Sequence, residues 1–224
     1  MISTLHRKPA MTANTSPQVP NWSDSLDWPD RADGAGRHNS LDSPDENARQ
    51  ALRLAAAALD AAKQQAQPYA MSTALAQLAC AHATLQAWPM AEGCLQQALR
   101  WSRAAQSTDL TVDLLCELCE LAVRVAEQQD AQHAGGDSAQ EGAPERARDR
   151  ARDHAFEACG LAHRVTDSDW EIKVLLRLSD VLDRCGDRDD AVQLQARALR
   201  LMVCGPATEW DATVMPGLGR LADA

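Results

Sequence analysis

The most reactive side chains in this 224-residue chain are its seven cysteines, and one pair has ligand-like spacing. Cys116-Glu117-Leu118-Cys119 places two thiols one helical turn apart, near enough to fill two positions on a metal ion. A structural zinc site needs four ligands, and no second CxxC or HxxxH follows. Glu117 and Glu120 lie beside the pair, the opposite of the electropositive setting that makes a thiol reactive. Reduced, packed thiols are expected, with no metal. Histidine offers little more. His82 falls on an apolar stripe, His154 and His163 stand nine positions apart, and His133 lies beside Asp130 and Asp137 with no nucleophile indicated. HExxH, GxSxG and the Gly-rich phosphate-binding loops are absent. Asp187-Arg188-Asp189-Asp190 lacks the Gly and distal Glu of a calcium loop. It reads instead as a helix N-terminus, where acids meet the positive end of the dipole. No catalytic residue, metal ligand or cofactor is expected, and the chain reads as a non-enzyme.

Charge narrows the partners. There are 22 basic and 32 acidic residues, a net charge of −10. Nucleic-acid binding normally leaves a basic footprint, so neither nucleic acid nor an anionic membrane is expected as a partner. The one dense run of arginines, Glu145 to Asp153, interleaves acids with them and reads as a self-paired solvated face. Gln64 to Ala91 carries no Asp, Glu, Lys or Arg, but its Gln, Thr and Pro make it too polar to span a bilayer. Met1 to Thr12 has no apolar signal-peptide core. An odd number of scattered cysteines fits a reducing cytoplasm better than a disulfide framework.

Few residue types could position such side chains except helices. Aromatics are 4% of the chain, while alanine is roughly a fifth, well above ordinary usage. Residues 1–43 lack apolar periodicity and read as a disordered tail. Within them Trp22, Leu26 and Trp28 stand among acids, either docking on their own domain or forming a linear motif for a partner. Ser43-Pro44-Asp45-Glu46 is a capping box with Pro at the first helical position. Helices are predicted over about 44–67, 70–86, 89–105, 109–129, 145–165, 169–185 and 188–203. Ser168-Asp169-Trp170-Glu171 reads as a second capping box and Gly186 as a C-terminal cap. Residues 130–144 read as a flexible loop, and 204–224 as a C-terminal tail with room for a short helix.

Self-similarity turns these helices into a pattern. Leu75, Leu78 and Ala79 recur at an offset of 100 as Leu175, Leu178 and Ser179. Ala91 and Ala98 recur as Ala191 and Ala198, and Leu99-Arg100 as Leu199-Arg200. A middle copy holds Leu115, Leu118 and Cys119, then Ala155 and Ala162 after an insertion. Small residues where two helix axes cross allow close approach. One hairpin cannot bury its own apolar face, so hairpins stack.

This large-large-small pattern followed by paired alanines resembles the tetratricopeptide repeat family, whose unit is about 34 residues. The resemblance spans roughly 44–203, with His82, Ala122 and Leu182 where the family has an aromatic. It implies an all-α fold: a right-handed superhelical stack of helical hairpins, an α-solenoid, behind the tail. A plain helical bundle is the alternative. It further implies a concave groove lined by first-helix residues. By position these are Thr73, Ala76, Cys80 and Thr84; then Asp113, Cys116, Glu120 and Arg124; then Lys173, Leu176, Asp180 and Arg184. Such a groove suits a peptide or helix of a protein partner, and an adaptor or scaffold is the function expected. A chaperone for a secreted protein, as in some bacterial secretion systems, and a ligand-responsive regulatory domain are the alternatives.

Overall fold

The computed structural model describes residues 44–133, 142–165 and 167–204, which form seven helices with no strand among them. These are α1 (Pro44–Gln64), α2 (Pro68–Thr84), α3 (Trp88–Ala104), α4 (Thr108–His133), α5 (Ala143–Ala162), α6 (Ser168–Cys185) and α7 (Arg188–Cys204). The all-α expectation holds. Trp22, Leu26, Trp28 and the rest of the expected tail lie outside the described residues, as does the segment after Cys204. Helix α4 runs four residues further than the periodicity predicted, into the expected loop, and α5 stops three residues earlier.

A 20-residue rhythm underlies the chain. Helices α2, α3 and α4 start at 68, 88 and 108, and α6 and α7 start at 168 and 188. Each step ends in the same turn. One residue adopts the left-handed region, at Ala66 (φ 49°), Gln86 (φ 57°), Gln106 (φ 55°) and Gly186 (φ 92°). The next residue then donates its N–H five residues back. Ala87 reaches the His82 carbonyl at 2.9 Å, Ser107 reaches Ser102 at 3.2 Å, and Asp187 reaches Leu182 at 2.9 Å. These 6→1 bonds close helix ends that would otherwise leave carbonyls unpaired. A turn this short reverses the chain, so consecutive helices form antiparallel hairpins. The sequence marks only Gly186 as a cap, because Ala and Gln carry no signature for a left-handed residue.

The start of α6 differs from the predicted capping box. Asp167 is the N-cap, its side chain accepting from the N–H groups of Asp169 (3.0 Å) and Trp170 (3.1 Å). Ser168 is already helical, and Glu171 does not turn back to the cap. It is buried and pairs with Arg197 of α7.

Each helix packs on its neighbours in sequence, and α4 packs in addition on α6. Helix α4 thus touches α3, α5 and α6, which explains why it is buried nearly all round, from Val112 to Ala126. The crossings use small residues, as the repeat predicted. Ala79 of α2 and Ala91 and Ala98 of α3 are buried in a packed helix pair, while α5 contributes Ala151, Ala155, Ala158 and Ala162, all buried. Interiors pack to crystal-like density, so alanine at these points sets how closely the axes approach. Between α2, α3 and α4, hydroxyls bridge the remaining polar groups. Ser72 Oγ donates to the Ala98 carbonyl (2.8 Å), and Ser102 Oγ lies 3.0 Å from Thr111 Oγ1.

Candidate functional site

Three of the predicted groove residues, Asp113, Glu120 and Arg184, belong to one structure, a ladder between α4 and α6. Asp113, Glu120 and Glu127 stand seven apart on α4, as do Trp170, Arg177 and Arg184 on α6. Every rung joins residues separated by 57: Asp113 to Trp170, Glu120 to Arg177, and Glu127 to Arg184. A constant separation over nearly four helical turns requires the two helices to run parallel and at matching height. Seven residues is nearly two turns, so each rung falls on the same face.

The rungs differ in burial. The Trp170 indole hydrogen-bonds the Asp113 carboxylate at the N-terminal end. In the middle, Arg177 Nε donates to Glu120 and its Nη2 to Glu117, whose side chain is only 5% exposed. At the far end Arg184 donates from Nε and Nη2 to the two carboxylate oxygens of Glu127, both at 3.0 Å. That last pair is open to solvent on the acid side, with Glu127 54% exposed.

Burial is the main force on Asp113 and disfavours its ionised form. The Arg177 charge and the Trp170 hydrogen bond oppose that push, while Asp109 and Glu117 reinforce it. The carboxyl ends at about 6. The Arg177 guanidinium that opposes this push is also bonded to Glu117 and Glu120.

Cys80 of α2 lies near enough to Glu117 of α4 to feel its charge. Its thiol is raised, chiefly by burial and then by the Glu117 charge, with Arg124 acting in the other direction.

The twelve predicted groove positions therefore have several fates, Cys80 being the half-buried thiol just described. Asp113, Glu120 and Arg184 bind across the α4–α6 seam, and Cys116 is buried beneath it. Lys173, Leu176 and Asp180 are exposed on α6. Asp180 leans toward Arg184 at 3.7 Å. Thr73 and Thr84 bond back to their own helix, to the Ala70 and Cys80 carbonyls at 3.0 Å each. Ala76 and Arg124 are half-buried. Sequence reasoning missed Glu117, Glu127, Trp170 and Arg177. The signal was present in the acids at 113, 120 and 127 matched against 170, 177 and 184, but it appears only when two helices are read together.

The remaining chemistry-bearing groups are packed. Burial pushes the thiols of Cys116, Cys119 and Cys159 upward, which suppresses the thiolate a nucleophile or ligand needs. Burial likewise lowers His154. The arginine run pairs partly within itself, Arg152 with Glu145 (2.9 Å) and Asp149 (2.7 Å). It also reaches outward, since Arg152 Nε meets Asp187 at 2.5 Å and its Nη2 donates to the Cys185 carbonyl at 2.9 Å. That pins α5 to the α6–α7 turn. Among the described residues no cluster of three His, Cys, Asp or Glu is arranged to hold a metal. No described helix is long and apolar enough to cross a membrane. The sequence matches no family model and no curated protein.

Proposed function

We propose that this chain is a non-enzymatic protein-interaction module, an adaptor or scaffold of tetratricopeptide-like build that holds a peptide or helix of a partner. The observation that supports this most is the ladder. By fixing α4 parallel to α6 at matching height, it sets two first-helix surfaces side by side. A surface assembled from parallel helices offers repeated side chains at fixed spacing, which suits an extended or helical ligand.

On the exposed part of that surface Leu176 is an apolar contact with Lys173 one turn before it and Asp180 one turn after it. An apolar anchor flanked by opposite charges favours a partner segment with the complementary order. The rung residues have a different role: they hold the helices that present the anchor. We further take the stack to be a right-handed superhelix and the compartment to be the cytoplasm, where seven unbridged thiols remain reduced.

The test is co-purification from the source organism with wild type and with Lys173→Glu/Leu176→Asp/Asp180→Lys. All three side chains are exposed, so the variant keeps its helical circular dichroism. The expected outcome is loss of the co-purifying protein. Equal recovery with both proteins contradicts the proposal.

A further inference from the structure

One face of α7 is apolar where the matching face of α3 is charged. At the offset of 100 residues, Glu92, Gln96, Leu99 and Arg103 of α3 correspond to Val192, Ala196, Leu199 and Val203 of α7. Both charges on α3 are used: Glu92 meets Arg150 of α5 at 3.9 Å, and Arg103 pairs with Glu157 of α5. Helix α7 has a valine in place of each charge. Val192, Leu199 and Val203 are 61%, 59% and 82% exposed, and Ala196 is exposed between them. Among the described residues, α6 is the one helix on which α7 packs extensively.

This stripe is complementary to itself when reversed. Its steps of four, three and four residues read alike in both directions and form a coiled-coil seam. A second copy laid antiparallel sets Val203 on Val192 and Leu199 on Ala196, and two-fold symmetry repeats both contacts. A large side chain then meets a small one, the arrangement that lets helix axes approach closely inside the molecule. Charge selects the same direction. Asp189 and Asp190 open α7, and Arg200 is the one exposed charge after them. Parallel copies set acid beside acid and Arg200 beside Arg200. Antiparallel copies turn each acidic end toward the half of the second helix that carries Arg200, and oppose the helix dipoles.

We propose that this face of α7 is a two-fold interface on which a second copy of the chain docks antiparallel through Val192, Ala196, Leu199 and Val203. One pair of helices covers less than the roughly 1,600 Å² of a standard interface. The dimer is therefore weak, half-formed at roughly 10–100 µM chain. None of its contacts belongs to the Lys173, Leu176 and Asp180 surface of α6, so the dimer carries that surface twice. The self-association stands independently of what that surface binds.

The test is sedimentation equilibrium of the full chain across a concentration series, with wild type, Leu199→Asp and Ala196→Arg. Wild type is expected to pass from monomer to dimer, and each variant to weaken the dimer at least about tenfold. Both positions are exposed in a single copy, so the dilute variants keep the helical circular dichroism and thermal midpoint of dilute wild type. A wild type that stays monomeric up to about 1 mM overturns the proposal, as does a dimer that neither variant weakens. A monomer whose midpoint falls with Leu199→Asp assigns the stripe to another part of the same chain and also overturns it. Crosslinking with a short bis-maleimide at dimer-forming concentration reads the direction. In antiparallel copies the two Cys204 residues lie about 20 Å apart along the axis, but the two residues at 196 only about 5 Å. Ala196→Cys/Cys204→Ser is expected to link copy to copy, and wild-type Cys204 is not. A 204–204 link with none at 196 overturns the antiparallel interface.

Discussion

The α2–α3 hairpin and the α6–α7 hairpin share one backbone plan, offset by 100 residues, but they are joined to α4 by different chemistry. On the first side the polar contact is between hydroxyls, Ser102 Oγ of α3 lying 3.0 Å from Thr111 Oγ1 of α4. The second side uses charge: Arg177 spans Glu117 and Glu120, and Arg184 grips Glu127. The turns differ as well, with Gln86 left-handed in the first hairpin and Gly186 at the matching place in the second. A fold of this type is thus specified by where the small residues and the turns fall. The joints between hairpins are left free to be apolar, hydroxylic or ionic. What the ionic joint adds is register, because a guanidinium bonded to two fixed carboxylates cannot slide along the helix.

The comparison breaks most visibly at Arg177. Arg177→Ala leaves Glu117 buried without its cation and is expected to cost about 3–5 kcal/mol in urea unfolding. Ser102→Ala, the corresponding cut on the first side, is expected to cost about 1–2 kcal/mol, the price of a buried hydroxyl's hydrogen bonds. Equal losses would show the two joints to be energetically alike.

Asp113 sharpens the contrast through pH. Its folded value of about 6 lies above the ordinary 3.8, so the folded state holds the proton more tightly. The ionised carboxylate therefore costs stability that is absent below the unfolded value and fully present above about pH 6. Asp113→Asn is expected to stabilise the protein by roughly 1–3 kcal/mol at pH 7.5, with little gain near pH 4. A gain independent of pH would remove burial of charge as its cause.

The turns give the next smaller effect, with opposite signs in the two hairpins. Gly186→Ala is expected to destabilise by about 1–2 kcal/mol. No atom crowds an added Cβ there, so the cost is purely backbone conformation. Gln86→Gly should instead stabilise by roughly 0.5–1 kcal/mol, its left-handed strain being relieved. Smallest of all is Arg184→Ala. Its partner Glu127 faces water, so the expected loss is under about 1 kcal/mol, to be read beside Arg177→Ala in the same urea series.

Much of the architecture was legible in the sequence because packing leaves a local signature. Ala91, Ala98, Ala191 and Ala198 announce helix crossings, and Pro44 and Gly186 announce helix ends. The joints were harder to read. Asp113, Glu120 and Arg184 were recognised as first-helix surface residues, yet their partners lie 57 positions away. A charge on one helix looks like a solvated charge until the facing helix is placed. The cap of α6 was misread by one residue because Asp167 and Ser168 are both good caps, and the choice depended on where the preceding turn released the chain. The 20-residue rhythm was hidden for a related reason. Ala66, Gln86 and Gln106 are held left-handed by the hydrogen bonds of the turn, not by their own preference.

Everything proposed for the first-helix face depends on α4 and α6 standing parallel at one height. A short bis-maleimide crosslink tests this in a chain carrying Cys204→Ser, with the engineered thiols at two exposed helix positions. With Glu127→Cys and Arg184→Cys together, mass spectrometry is expected to show positions 127 and 184 joined within one chain. With Asp109→Cys and Arg184→Cys no such link is expected, since those sites lie about 25 Å apart along parallel helices. A 109–184 link, with none between 127 and 184, would mean the helices run antiparallel and would contradict the account.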